Sequence, residues 1–171
     1  MADRVSASIT IGGALDADLY AELALVIRGE GLSVEWDGPD FEPYHRTIGE
    51  PLTLHALEVA WGHVGDLEAW CVSEGMPFVR WSGGYPCQWG PSRVVFRGSG
   101  ETESYAADED EQVVLGRQTI EELGSYAAIL DHFERAAFEP PALWIEGDPG
   151  TPPPAILSQL PTEPDLSGAI G

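Results

Sequence analysis

Residues 5–29, VSASITIGGALDADLYAELALVIRG, contain the two hydrophobic periods that decide the fold prediction. Apolar and polar residues first alternate, and this period of two predicts a half-buried strand over residues 5–11 that ends at Gly12-Gly13. Beyond the glycines, apolar residues recur at the spacing of one helical face, which predicts a helix over residues 16–28. The residues on that face are Leu19, Leu23, Val26 and Ile27.

A related order of elements follows along the chain. Residues 32–36 (LSVEW) predict a second strand, and residues 54–61 (LHALEVAW) predict a third after a loop rich in Gly and Pro. Residues 65–75 then predict a second helix, and residues 77–81 a fourth strand. The predicted elements thus form two successive strand–helix–strand units. Two such units predict an α+β fold with a ferredoxin-like β-α-β-β-α-β core.

The following segments add a hairpin and a C-terminal helix to that core. Residues 93–98 (RVVFRG) predict the second arm of a hairpin, and residues 113–115 (VVL) predict a short strand. Thr119 and Glu122 have the spacing of a capping box, which predicts the start of the C-terminal helix. Its predicted buried stripe consists of Ile120, Leu123, Ala127, Leu130 and Phe133.

Length and composition predict one domain with a tail. A chain of 171 residues is long enough to bury a sizeable core. Residues 1–146 are predicted to form a single acidic domain, and the Pro- and Gly-rich residues 147–171 a mobile tail. The first residues lack the basic and apolar regions of a signal peptide, and no apolar run approaches the ~20 residues that span a bilayer. These features predict a cytoplasmic protein.

Net charge is the feature that narrows the function. The chain has 29 acidic and 8 basic residues, a formal net charge of −21, and it contains neither lysine nor asparagine. A GC-rich gene and adaptation to high salt are two explanations of this composition, but neither accounts for the size of the imbalance. The electric field of such a negative net charge repels nucleic acid and anionic membranes and attracts basic partners. Direct binding to DNA or RNA is not expected, because it depends on cations placed against phosphates.

The sequence contains no motif that identifies a particular reaction, cofactor or metal site. A P-loop and a Schiff base both need a lysine, which the chain lacks. Cys71 and Cys87 are too few for a four-cysteine zinc site, and His55 and His63 would lie more than ~20 Å apart on one strand. A long-range pair of a histidine with a cysteine or a carboxylate stays possible. We expect no cofactor, no metal and no enzymatic activity.

Residues 101–112, ETESYAADEDEQ, concentrate carboxylates without the spacing or the glycine of an EF-hand calcium loop. Around them, residues 98–148 carry 13 acidic residues and two arginines. Together with the acids of the C-terminal helix, this stretch could form a continuous negative surface that resembles the charge of a nucleic-acid backbone. The competing interpretation is that these acids only solvate a loop and a helix face.

In charge and length the chain resembles the acidic proteins of phages and mobile elements that block restriction or CRISPR complexes, and the immunity proteins that neutralise nuclease toxins. The resemblance covers no motif, so it assigns no residue roles. The leading interpretation is a non-enzymatic inhibitor that occupies the groove of a basic nucleic-acid-handling protein. The predicted partner-binding residues are Glu101, Glu103, Asp108, Glu109, Asp110, Glu111, Glu121, Glu122, Asp131 and Glu134, with Tyr85 and Trp89 as aromatic anchors.

Two other interpretations stay open. One is a small-molecule-binding domain or enzyme with His55, His63 or Cys87 at a pocket. The other is a halophilic housekeeping domain whose charge reflects its environment. The remaining tryptophans on predicted elements are expected in the core, and they are Trp36, Trp61, Trp70 and Trp81.

Overall fold

The computed structural model describes residues 3–153, which form a mixed α+β fold. The strands are β1 (Arg4–Ile11), β2 (Gly13–Leu15), β3 (Leu52–Ala60), β4 (Phe78–Ser82), β5 (Ser92–Phe96), β6 (Glu103–Ala106) and β7 (Leu143–Ile145). The α-helices within this range are α1 (Ala17–Gly29), α2 (Gly65–Glu74), α3 (Arg117–Leu123) and α4 (Tyr126–Ala136), and a 3₁₀ helix covers Pro43–His45. None of these helices has the length and apolarity needed to cross a membrane.

The main sheet has the strand order β3-β1-β4-β5-β6, with every neighbouring pair antiparallel. Because β3 and β4 both run antiparallel to β1, they are parallel to each other, and α2 connects them past the strand between them. β5 and β6 continue the sheet as a meander, so the predicted hairpin of β4 and β5 is confirmed. β2 and β7 form a separate parallel pair that the sequence did not predict.

The larger core joins one face of the sheet to α1 and α2. Most of the alternating apolar residues of β1 and two residues of the α1 stripe are buried in one cluster, as their periods predicted. The other two residues of the stripe, Leu19 and Val26, are partly buried and pack against this cluster. The Asp16 carboxylate caps α1 by accepting the Leu19 N–H at 2.8 Å, so the predicted start of the helix is also confirmed. Representative members of this cluster are Ala7, Ile9, Ile11, Leu23, Ile27, Leu67 and Cys71.

A smaller cluster covers part of the opposite face of the sheet. Arg93 on β5 donates to the carbonyl oxygens of Ala136 at 2.8 Å and of Phe138 at 3.0 Å. These bonds hold the C-terminal end of α4 and the residues after it against the sheet, and the bond to Ala136 satisfies a carbonyl that the helix leaves free. The buried members of this cluster are Val79, Val95, Tyr105 and Ala136.

Residues 32–36 do not form the predicted second strand. Ser33 makes a single bridge to His55 on the outer edge of β3, and Asp37 then adopts a left-handed φ of 55°. The chain therefore turns away from the edge strand β3 after this single pair of bridged residues. Trp36 is exposed instead of buried and lies 4.5 Å from the His55 ring. Without this strand, the observed topology does not confirm the ferredoxin-like arrangement.

The predicted C-terminal helix is in fact two helices. α3 begins after Gly116 and ends at Gly124, whose φ is 74°, so Thr119 is inside the helix and does not cap it. Ser125 caps α4, and its hydroxyl accepts the Ala128 N–H at 3.2 Å. The predicted buried stripe is wrong as well, because none of its five residues is buried.

Two further predictions change near the acidic stretch and the tail. Part of residues 101–112 is the strand β6, whereas Val113 makes only one bridge, to Ala107, in place of the predicted strand over 113–115. Asp148, in the segment predicted as tail, accepts two hydrogen bonds from Arg46, at 2.8 and 2.5 Å. Residues 154–171 of the predicted tail lie outside the described residues.

Candidate binding surface

Three connections meet at one end of the main sheet. β3, β4 and β6 run in the same direction, so the segments that follow these strands all begin at the same end of the sheet. These segments are the turn at 61–64, the β4–β5 connection at 83–91 and the β6–α3 connection at 107–116. Four of the predicted acids lie in the last of these segments, and both predicted aromatic anchors lie in the second.

Residues 108–112, called here the acidic loop, fold around the carboxylate of Asp108. Its Oδ1 accepts the Asp110 N–H at 3.0 Å and the Gln112 N–H at 2.9 Å. The backbone N–H of Asp108 donates to the Gln112 carbonyl at 2.9 Å, which closes the loop. Glu111 adopts a φ of 63° within this turn. The first acid of the loop is therefore used to hold its shape.

The acidic loop is fastened to the β4–β5 connection. The Glu109 carboxylate accepts the Gly84 N–H at 3.1 Å, and the Trp81 indole donates to the Asp108 carbonyl at 3.0 Å. Asp110 and Glu111 are exposed, and no side-chain hydrogen bond or ion pair of either is found among residues 3–153. They are the two carboxylates of the loop that a partner can reach without breaking an internal contact.

Three aromatic side chains of the 61–64 turn and the β4–β5 connection form a row. Tyr85 stacks on Trp89 with ring centroids 5.3 Å apart, and Trp89 contacts Trp61 at 5.7 Å. Trp61 is 51% exposed, so its predicted place in the core is wrong. Trp61 and Cys87 both have a left-handed φ, of 58° and 64°, which is costly for side chains of this kind. The row is thus held by two turns with unfavourable backbone conformations.

Sequence reasoning missed Trp61 because the end of β3 cannot be located from periodicity alone. A signal was available in the dipeptide Trp-Gly, which occurs at 61–62 and again at 89–90. Gly62 has a φ of 69°, and a Cβ there would lie 2.7 Å from Ser82 Cβ. The glycine therefore marks a turn, and a tryptophan directly before a turn at a strand end has no neighbouring strand to cover it.

Glu103 differs from the other predicted acids because two arginines and a tyrosine contact its carboxylate. Its carboxylate pairs with Arg97 and Arg135 and accepts the Tyr105 hydroxyl at 2.7 Å. Burial alone would raise the pKa of Glu103, but the hydrogen bonds from the tyrosine and the two arginines lower it to about 2. Glu103 therefore joins β6 to the end of α4. Its neighbour Glu101 is exposed.

The four acids predicted on the C-terminal helix divide between α3 and α4. On α3, Glu121 pairs with Arg117 at 2.7 Å and Glu122 accepts a hydrogen bond from Gln118 at 2.8 Å. Asp131 and Glu134 on α4 are exposed. The exposed pair on α3 contributes little stability, since solvent screens it.

α4 and the acidic loop face each other across an open cleft of about 500 Å³. Glu111 and Val113 line one side, Phe133 and Ala136 line the other, and Arg93 is also part of the lining. Burial lowers the pKa of Arg93, and the charges of Glu139 and Glu111 oppose that shift. The loop is thus bonded to the β4–β5 connection on one side and faces α4 on the other.

The structure does not bring together His55, His63 and Cys87, any one of which the small-molecule interpretation placed at a pocket. No hydrogen bond, ion pair or ring contact within residues 3–153 joins His55, His63 and Cys87. His55 lines a separate cavity of about 340 Å³, and burial lowers its pKa. Among the described residues, no group of three or more His, Cys, Asp or Glu side chains is arranged to hold a metal ion.

Comparison of the chain with protein-family models, with curated proteins and with solved structures found no match in any of the three.

Proposed function

We propose that the protein is a non-enzymatic inhibitor that binds a basic, nucleic-acid-handling protein, such as a nuclease complex, and occupies the groove that nucleic acid would enter. The observation that carries the proposal is the arrangement at the end of the sheet. Asp110 and Glu111 are exposed on a loop whose shape is fixed by Asp108. Glu109 bonds this loop to the β4–β5 connection, which carries Tyr85 and Trp89 of the aromatic row. Anti-CRISPR, anti-restriction and nuclease-immunity proteins are the classes with this mode of action.

The loop supplies charge without a folding step at the moment of binding. Asp108 and Glu109 are bound within the protein, so the exposed carboxylates are presented on a backbone that is already ordered. A preorganised surface loses less conformational entropy on association than a mobile one. The formal net charge of −21 adds long-range attraction to a basic partner and accelerates the encounter.

The aromatic row supplies contact area that does not depend on salt. Aromatic residues are enriched at the centres of interfaces, where they contribute a large share of the binding free energy. The exposed face of Trp61 can also stack on an arginine side chain, since cations are attracted to the face of an indole ring. Charge and aromatic contact together suit a surface whose normal ligand has phosphates and stacked bases.

Capture from a lysate of the native host tests the proposal. The protein is immobilised at low salt, and bound material is eluted first with duplex DNA and then with a salt gradient. We expect a nucleic-acid-binding protein to be released by the duplex, because both ligands occupy one groove. Titration of that protein's activity should reach complete inhibition at a fixed molar ratio, as a non-catalytic inhibitor requires.

The matched bait is Asp110→Asn with Glu111→Gln, which keeps the loop contacts and removes two charges. It should retain much less of the same protein. Capture of no basic protein from a lysate that yields such proteins on heparin would contradict the proposal. So would a captured protein that duplex DNA fails to displace.

A further inference from the structure

The apolar stripe of α4 lies on the surface of the protein. Tyr126, Leu130 and Phe133 are spaced i, i+4 and i+7, so they fall within about 60° of the helix circumference. They are 76%, 43% and 37% exposed, respectively. In the described part of the chain, Ala136 is the one buried residue of this helix. The amphipathic pattern of α4 is therefore not used by the fold of residues 3–153.

Negative charge borders this stripe on both sides. Glu134 follows Leu130 by about 40° around the helix, and its side chain is exposed. On the other side, Phe133 lines the cleft that it shares with Glu111 of the acidic loop. The arginine of the helix, Arg135, pairs with Glu103 and does not offset these charges.

We infer that the stripe docks a basic amphipathic helix of the partner protein. The apolar face of that helix would pack on Tyr126, Leu130 and Phe133, while its arginines or lysines lie beside Glu134 and Glu111. The inference rests on the basic partner of the proposed function and adds a second contact to it. Because Glu111 belongs both to the loop and to the cleft wall, the two contacts adjoin.

Charge also distinguishes this occupant from a second copy of the chain. Two copies meeting through the stripe would bring together two acidic rims, each on a protein of net charge −21. Like charges placed against each other at an interface are unfavourable, whereas a basic helix is attracted. The stripe therefore fits a cationic partner better than self-association.

A designed peptide provides a defined probe for this surface. It has about 18 residues, or five helical turns, with leucines on one face and arginines on the other. A second peptide has the same composition in a scrambled order that gives no apolar face. Both are titrated against the full chain at roughly 0.5 M salt, where the Debye length is short and simple charge attraction is weak.

We expect the amphipathic peptide to bind the wild type, and Leu130→Ser with Phe133→Ser to weaken that binding about tenfold or more. The control is Leu25→Ser, which removes an exposed leucine from α1 and should leave binding unchanged. The thermal midpoint of every variant is measured alongside. If the double serine variant is destabilised, Leu130→Ala with Phe133→Ala replaces it.

Equal binding by the stripe variant and the wild type would overturn the inference, and so would equal affinity for the scrambled peptide. A wild-type dimer in sedimentation that the stripe variant separates would also overturn it, because a second copy would then cover the stripe. Failure of the proposed function has a different signature, since duplex DNA would then displace no captured protein.

Discussion

At the residue scale, the carboxylates of the acidic stretch have three different roles. Asp108 and Glu109 bind backbone N–H groups and shape the loop, and Glu103 is neutralised by two arginines. Asp110 and Glu111 are exposed and have no such contacts within residues 3–153. The sequence predicted the acidic surface as a set of equivalent charges, because nothing in the order of residues shows which carboxylate meets an N–H group.

Glu103 gives a pH-dependent prediction. Its pKa is lowered from the ordinary value of 4.5 to about 2, so its contribution to stability is complete above pH 4.5 and is lost as the pH falls toward 2. We expect Glu103→Gln to lower the free energy of unfolding at neutral pH. The difference from the wild type should shrink as the pH falls from 4.5 toward 2.

Urea unfolding at a series of pH values measures this difference directly. Glu101→Gln controls for the general effect of removing one negative charge from the same segment. A difference between Glu103→Gln and the wild type that stays constant over the whole pH range would contradict the observed network of Glu103 with Arg97 and Arg135.

At the scale of elements, helices and strands were predicted best from the sequence where their repeating apolar residues are buried in a single hydrophobic cluster. The predictions for β1 and α1 were correct because most of the apolar residues on which they rested pack in or against the same cluster. The prediction failed for residues 32–36 and for α4, whose apolar patterns look the same whether they are covered by the fold or exposed. Gly124 and Ser125 end one helix and cap the next, and these signals were outweighed by the longer apolar repeat.

The ion pair of Arg80 and Glu68 joins two elements through the core and gives a second prediction. Arg80 on β4 is 2% exposed, pairs with Glu68 on α2, and donates to Ser82 Oγ at 3.0 Å. We expect Glu68→Ala to destabilise the protein by roughly 3 kcal/mol, because it leaves a buried guanidinium without its counter-ion.

Urea unfolding also tests this pair, with Glu74→Ala at the exposed end of α2 as the control. Combining Glu68→Ala with Arg80→Met removes both charges and should recover much of the loss. If Glu68→Ala and Glu74→Ala had equal effects, Arg80 would not depend on Glu68 for its burial.

At the scale of the whole molecule, two explanations of the negative charge differ in whether the acidic residues must lie at particular places on the surface. Charge that reflects a saline environment or codon usage needs no particular arrangement. Under the proposed function, charge acts at the acidic loop, which is bonded to the β4–β5 connection and lines the cleft of α4. Composition alone could not separate these explanations, since both give a net charge of −21.

A partner-binding site at the acidic loop is therefore tested by removing two negative charges from the loop and, in a separate variant, two from elsewhere on the surface. Association rates with the captured, DNA-displaceable protein are measured for Asp110→Asn with Glu111→Gln. The same rates are measured for Glu22→Gln with Glu74→Gln, which removes two exposed acids from α1 and α2 on the other face of the sheet. We predict that the loop pair slows association and weakens binding much more than the helix pair. Equal effects of the two pairs would show that only total charge matters and would contradict a binding site at the acidic loop.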